Sequence, residues 1–167
     1  SQMAALGTDG AAALSTAAIR NLSADAITAL GTDQLGALTS TQVAALSDAQ
    51  AEGLAAGDVA ALGTAGLRGM TTSALNSLAV DAVAALTTDR VQALTTAQVR
   101  RLDADFLAAM ATDDLAALTT SQIVALDGTQ LSSLSANQLG ALETADLRVL
   151  TTVTIGDLSA DAVAGLG

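Results

Sequence analysis

The side chains able to do acid–base chemistry in this chain are carboxylates, and they stand closest together at Asp103/Asp105 and Asp113/Asp114. Two carboxylates flanking a glycosidic bond, one acting as acid and the other as base or nucleophile, are the machinery of glycoside hydrolysis. A column of aspartates recurs in the same register, as in Asp25, Asp33, Asp81, Asp89, Asp105 and Asp161, and supplies the oxygen ligands that suit calcium. Beside it runs a column of threonines: Thr8, Thr16, Thr32, Thr64, Thr72, Thr88, Thr96, Thr112, Thr120, Thr144 and Thr152. A flat array of their methyls and hydroxyls would order water or bind ice. Arg100/Arg101 is the one basic pair.

Each of these has a plainer reading. Both acid pairs fall in a repeated acidic register, which accounts for them without catalysis. Histidine, cysteine and lysine are absent, so most of the usual acid–base, nucleophile and metal-ligand types are missing. The glycine-rich nonapeptide of calcium-binding β-rolls is also missing, and isolated acids suit a solvated face. Threonines in register more often cap helices or bond locally. Seventeen acids against six arginines leave a net charge of −11, which opposes binding to nucleic-acid phosphates or anionic membranes. The expectation is a non-enzymatic protein with no catalytic, cofactor-binding or metal residue and no cofactor.

What places these side chains is a strict repeat. Leu or Met stands at every eighth position from Leu6 to Leu166, through Met70 and Met110, without one insertion. A second apolar column lies three residues before each of these anchors, as in Ile19, Ile27, Leu35, Val43, Val59, Leu67, Val83, Val99, Ile123 and Val163. The unit reads roughly L-T-T-x-Q-V-x-A, and about 21 copies fit the 167 residues. Such a fixed short period predicts a solenoid, whose core is a line rather than a ball.

A separation of three puts Val99 and Leu102 on one face of a helix but on opposite faces of a strand. One long helix fails as well, because the apolar stripe would drift by roughly 80° with every octad. The chain must therefore break and restart in each unit. The residue after the anchor supplies the break: it is Ser, Thr, Asp or Gly everywhere except Ala55, Ala79, Ala111 and Glu143. Thr39/Gln42, Ser47/Gln50, Thr95/Gln98, Thr119/Gln122 and Ser135/Gln138 have capping-box spacing, in which two side chains satisfy each other's exposed backbone N–H groups.

Charge placement checks this register independently. All acids except Glu52 and Asp157 lie in the four positions after an anchor, and all arginines except Arg90 lie in the two positions before one. Acid at a helix start and base at its end is the arrangement the helix dipole favours. The position just before the anchor is mostly Ala, Gly or Ser, which lets neighbouring helices lie close; Asn21, Arg101, Val149 and Asp157 depart from it.

The predicted fold is therefore all-α, a solenoid of about 21 short capped helices forming an extended superhelical rod, with residues 1–167 as a single uninterrupted domain. Ser47–Asp58 and Val149–Asp157 are its most irregular stretches. The terminal pairs Met3/Leu6 and Val163/Leu166 look like internal pairs, where solenoids generally carry polar caps. That predicts continuation into a longer array or end-to-end self-association. No run of about 20 apolar residues is present, and no membrane insertion is expected.

The anchor-to-anchor segments LTTAQVRRL, LTTSQIVAL and LTSTQVAAL resemble the L-T-T-x-Q-[VI]-x-A-L arrays of large bacterial proteins described as adhesin-like or secreted. The resemblance covers the whole chain, although SADAITAL lacks the glutamine and AAGDVAAL lacks the threonine pair. It implies an extracellular or cell-surface structural role, as a spacer or filament-forming element, and it carries no catalytic or binding residue. The alternative is a soluble α-solenoid scaffold that binds a protein or peptide. A binding groove should gather distinctive side chains on one face, but the outer positions are mostly Ala, Thr, Ser, Gln and Gly.

Overall fold

A break-and-restart chain should give helices of barely more than one turn, and the computed structural model has them. It describes residues 6–142, 144–156 and 158–165. Met3, Glu143, Asp157 and Leu166, to which the repeat assigns positions, lie outside the described residues. Among the described residues there are helices and no strands.

The chain forms two compact units, Ser1–Leu86 and Thr87–Gly167. The first holds α1 (Thr8–Ala12), α2 (Thr16–Asn21), α3 (Ala24–Thr28), α4 (Thr32–Gly36), α5 (Ser40–Val43), α6 (Asp48–Glu52), α7 (Ala56–Gly69), α8 (Thr72–Asn76) and α9 (Val80–Ala84). The second holds α10 (Thr88–Ala93), α11 (Thr96–Val99), α12 (Ala104–Ala109), α13 (Thr112–Ala116), α14 (Thr120–Ile123), α15 (Gly128–Ser132), α16 (Ala136–Gly140), α17 (Thr144–Val149), α18 (Thr152–Gly156) and α19 (Ala160–Gly165). Only α7 spans two octads, and it is broken by non-helical dihedrals at Gly63.

Helices α2, α7, α10 and α12 end where the anchor leaves helical geometry. Leu22, Met70, Leu94 and Met110 have ψ of 143°, 141°, 137° and 140°, and the cap residue that follows an anchor is extended as well. Two extended residues thus make the corner. The cap then restarts the helix: Ser15, Ser23, Thr71 and Asp103 each accept a hydrogen bond from the backbone N–H three residues on. All five expected capping boxes form. The threonine column supplies the first helical residue rather than the cap, as at Thr16, Thr72, Thr96 and Thr120.

Corners repeat with a spatial period the sequence did not reveal. In the first unit α4 packs on α1, α5 on α2, α6 on α3, α7 on both α4 and α5, α8 on α6, and α9 on α7. In the second unit α13 packs on α10, α14 on α11, α16 on α13, α17 on α14, α18 on α15 and α19 on α16. Every third octad is therefore stacked within a unit. Three octads of eight residues make a turn of 24.

The deepest side chains of the core are those of the second column. Ile19, Ile27, Leu35, Val43, Leu67 and Ile123 are fully buried, whereas the anchors Leu38, Leu62 and Leu78 retain 6–8 % exposure at the corners. Val163, expected in that inner column, is instead 52 % exposed, as is Ile155 at 45 %. An inner side chain is covered by the turn stacked above it, and α18 and α19 are the last helices of the second unit.

Small residues before the anchor do let turns approach closely. At Gly69 an added Cβ would lie 2.6 Å from the Ser40 carbonyl oxygen and 3.0 Å from Ser40 Cα, backbone atoms that have no rotamer with which to move aside. Gly69→Ala should destabilise the protein by about 1–3 kcal/mol through overpacking. Thermal melting checks it; a melting temperature equal to the parent's would mean that α5 and the end of α7 are not in this contact. Gly63 is needed for a different reason, since its φ of 63° lies in the left-handed region that side chains with a Cβ avoid.

Candidate functional site

Every helix of five residues leaves most of its backbone hydrogen-bonding groups without a partner inside the helix: N–H groups at the start and carbonyls at the end. An array of such helices must satisfy them by other means. The side chain that does so here is the glutamine three residues after the cap.

Gln122 in α14 shows the arrangement. Its Oε1 accepts the backbone N–H of Thr119 at 2.8 Å and the Thr119 hydroxyl at 2.9 Å, closing the start of its own helix. Its Nε2 donates to the carbonyls of Val91 at 2.8 Å, Gln92 at 3.3 Å and Leu94 at 2.8 Å, where α10 ends and the chain turns toward α11. One amide therefore closes the N-terminus of one helix and the C-terminus of another in the next turn.

The same joint recurs in both units. In the first, Gln42 Nε2 donates to the carbonyls of Ala11, Ala12 and Leu14 at 2.9, 3.1 and 2.7 Å, and Gln50 Nε2 to those of Ile19 and Leu22 at 2.8 and 2.7 Å. In the second, Gln130 reaches the Val99 and Leu102 carbonyls at 2.9 and 2.7 Å, and Gln138 those of Leu107, Ala108 and Met110 at 3.0, 3.3 and 3.0 Å. All these glutamines are buried, with at most 7 % exposure. Each uses both ends of its amide, so burial carries no unpaired polar atom.

Sequence reasoning found the capping half of this joint and missed the other half. The position was read as a helix-start polar residue, whereas it is a third interior column beside the two apolar ones. A signal was present: Gln34, Gln42, Gln50, Gln98, Gln122, Gln130 and Gln138 all stand immediately before the inner apolar column. A solvated position would not keep one long amide in register. Asp127/Gln130 also forms a full capping box that the Ser/Thr pattern passed over.

The acidic candidates are dispersed by the same geometry. Asp103 Oδ1 accepts the Phe106 N–H at 2.9 Å as the cap of α12, and Asp105 is exposed in the first turn of that helix. Asp113 is exposed, but Asp114 occupies the interior glutamine column at 4 % exposure. Burial, and after it the neighbouring Asp113 carboxylate, pushes the Asp114 carboxyl above its usual pKa. Asp9, Asp25, Asp33, Asp81 and Asp89 sit in first turns, and Arg20 and Arg68 in last turns, as the dipole argument required. Among the described residues no three His, Cys, Asp or Glu side chains gather as a metal site. Arg100 and Arg101 are both exposed, Arg100 as the C-cap of α11.

These features define a helical tandem-repeat protein in which side-chain amides tie successive turns together. A family model described as the ALTTAQ repeat matches residues 3–40, 51–88 and 107–144, and the chain belongs to that family. Ala93–Gln98 reads A-L-T-T-A-Q letter for letter. No curated protein and no solved structure matches the chain. Among the described residues no helix is long and apolar enough to cross a membrane.

Proposed function

We propose that the chain is a non-enzymatic structural segment, an extended superhelical rod of about 21 octads that serves as a spacer or filament-forming element of a secreted or cell-surface bacterial protein. The observation that carries this reading is where the chain's specialised polar groups go. The interior glutamines spend both ends of their amides joining turn to turn, and the acids and arginines follow helix ends. The conserving of side chains for mutual support suits a part whose task is length and stiffness. The family resemblance supports the extracellular setting, and the lone Phe106, itself buried, leaves the surface without the aromatic anchors that dominate binding faces.

Electron microscopy of the purified chain across a concentration series tests the proposal. Rods that lengthen with concentration are expected if turns at the two ends can stack as internal turns do. Short discrete rods at every concentration would remove the filament role and leave a spacer. Compact particles would overturn the rod itself and favour the soluble scaffold.

A further inference from the structure

Among the described residues, the interior polar column contains one fully buried side chain that can gain or lose a proton. In the second unit α13 lies between α10 and α16. Gln138 fills the column position on α16 and donates to backbone carbonyls. On α13 the equivalent residue is Asp114, which is 4 % exposed and whose carboxyl makes no hydrogen bond to any described residue.

We propose that Asp114 is a proton-sensitive joint of the second unit. As the neutral acid it remains in the interior column with α13 seated; as the carboxylate it is drawn toward water and α13 loosens. An ionised carboxylate accepts hydrogen bonds only, while a protonated one has an O–H donor, as the glutamines have N–H donors. A buried charge without a partner is also far costlier than a buried neutral acid.

The charged groups on the packed helices do not supply a counter-ion. Asp113 is the neighbour on α13 and Asp89 stands on α10, both of the same sign as Asp114, while α16 carries no charged residue. Arg90 on α10 directs Nη1 to the Thr87 hydroxyl at 3.2 Å, at the start of its own helix. The raised pKa of Asp114, caused first by burial and then by Asp113, agrees with this geometry. The folded chain therefore binds this proton more tightly than the unfolded chain. The stabilisation is fully present below the unfolded Asp value of about 3.9 and is lost as pH rises through the higher folded value.

The test is amide hydrogen exchange of residues 112–118 in the full chain between about pH 4 and pH 7.5, corrected for intrinsic exchange, together with carbon NMR titration of the Asp114 carboxyl. Protection in the parent should fall about tenfold per unit of pKa elevation as pH rises, and Asp114→Asn should abolish that fall. Asp113→Asn should lower the Asp114 midpoint while keeping the pH dependence. An Asp114 midpoint at or below the ordinary aspartate value overturns the proposal, and so does an unchanged exchange profile in Asp114→Asn. Should that variant not fold, the carboxyl titration of the parent decides alone.

Discussion

Replacing Leu94 by Asp should unfold the second unit around α10. Leu94 is 4 % exposed, closes α10 in an extended conformation, and offers its carbonyl to Gln122 Nε2 at 2.8 Å. Truncating a buried leucine to alanine typically costs about 2–5 kcal/mol. Aspartate removes the same apolar surface and adds a charge with nothing to pair with, so the loss should exceed that range. In a tandem-repeat protein each repeat leans mainly on its neighbours, so little else holds a damaged turn in place. Circular dichroism should show lost helix, and the melting transition should fall sharply or broaden. A variant that melted like the parent would mean that the eight-residue register is wrong.

The second large effect is expected from a polar residue. Gln122→Leu keeps the side chain's bulk but leaves the Thr119 N–H and the Leu94 carbonyl without their partner, while the Val91 carbonyl keeps only the Leu94 N–H. Each buried group so orphaned costs about 1–3 kcal/mol, which makes this apolar replacement worse than many core truncations. Gln122→Glu should be worse still at neutral pH, because it sets an anion against carbonyl oxygens, and should recover in part on acidification as the carboxyl gains a donor. Chemical denaturation of the two variants at neutral and acidic pH separates these effects. If both matched the parent, the amide would be a bystander and the turns would be held by apolar packing alone.

Much of the local structure was legible in the residues. Val99 and Leu102 could share a face only in a helix, Thr95 and Gln98 marked its start, and the drift of an eight-residue stripe demanded a corner at every anchor. Those inferences held because they concern hydrogen bonds and side chains within one octad. The candidate acids were legible too, but only as residue types. Asp103 became a cap, Asp113 stayed in solvent and Asp114 went inside, although all three were read as acids of one register.

What separates them is the stacking of turns. The sequence by itself determined the repeat, the helical form of each octad, its polarity and its corners, since capping, the dipole and apolar spacing act over eight residues or fewer. It left open how many octads close a turn, because that depends on the angle accumulated over successive corners, which no single octad encodes. Only the tertiary structure decided that every third octad stacks, and with it that a third column faces inward. Gln42, Gln50, Gln122, Gln130 and Gln138 acquired their second partners there, 28 to 31 residues away along the chain.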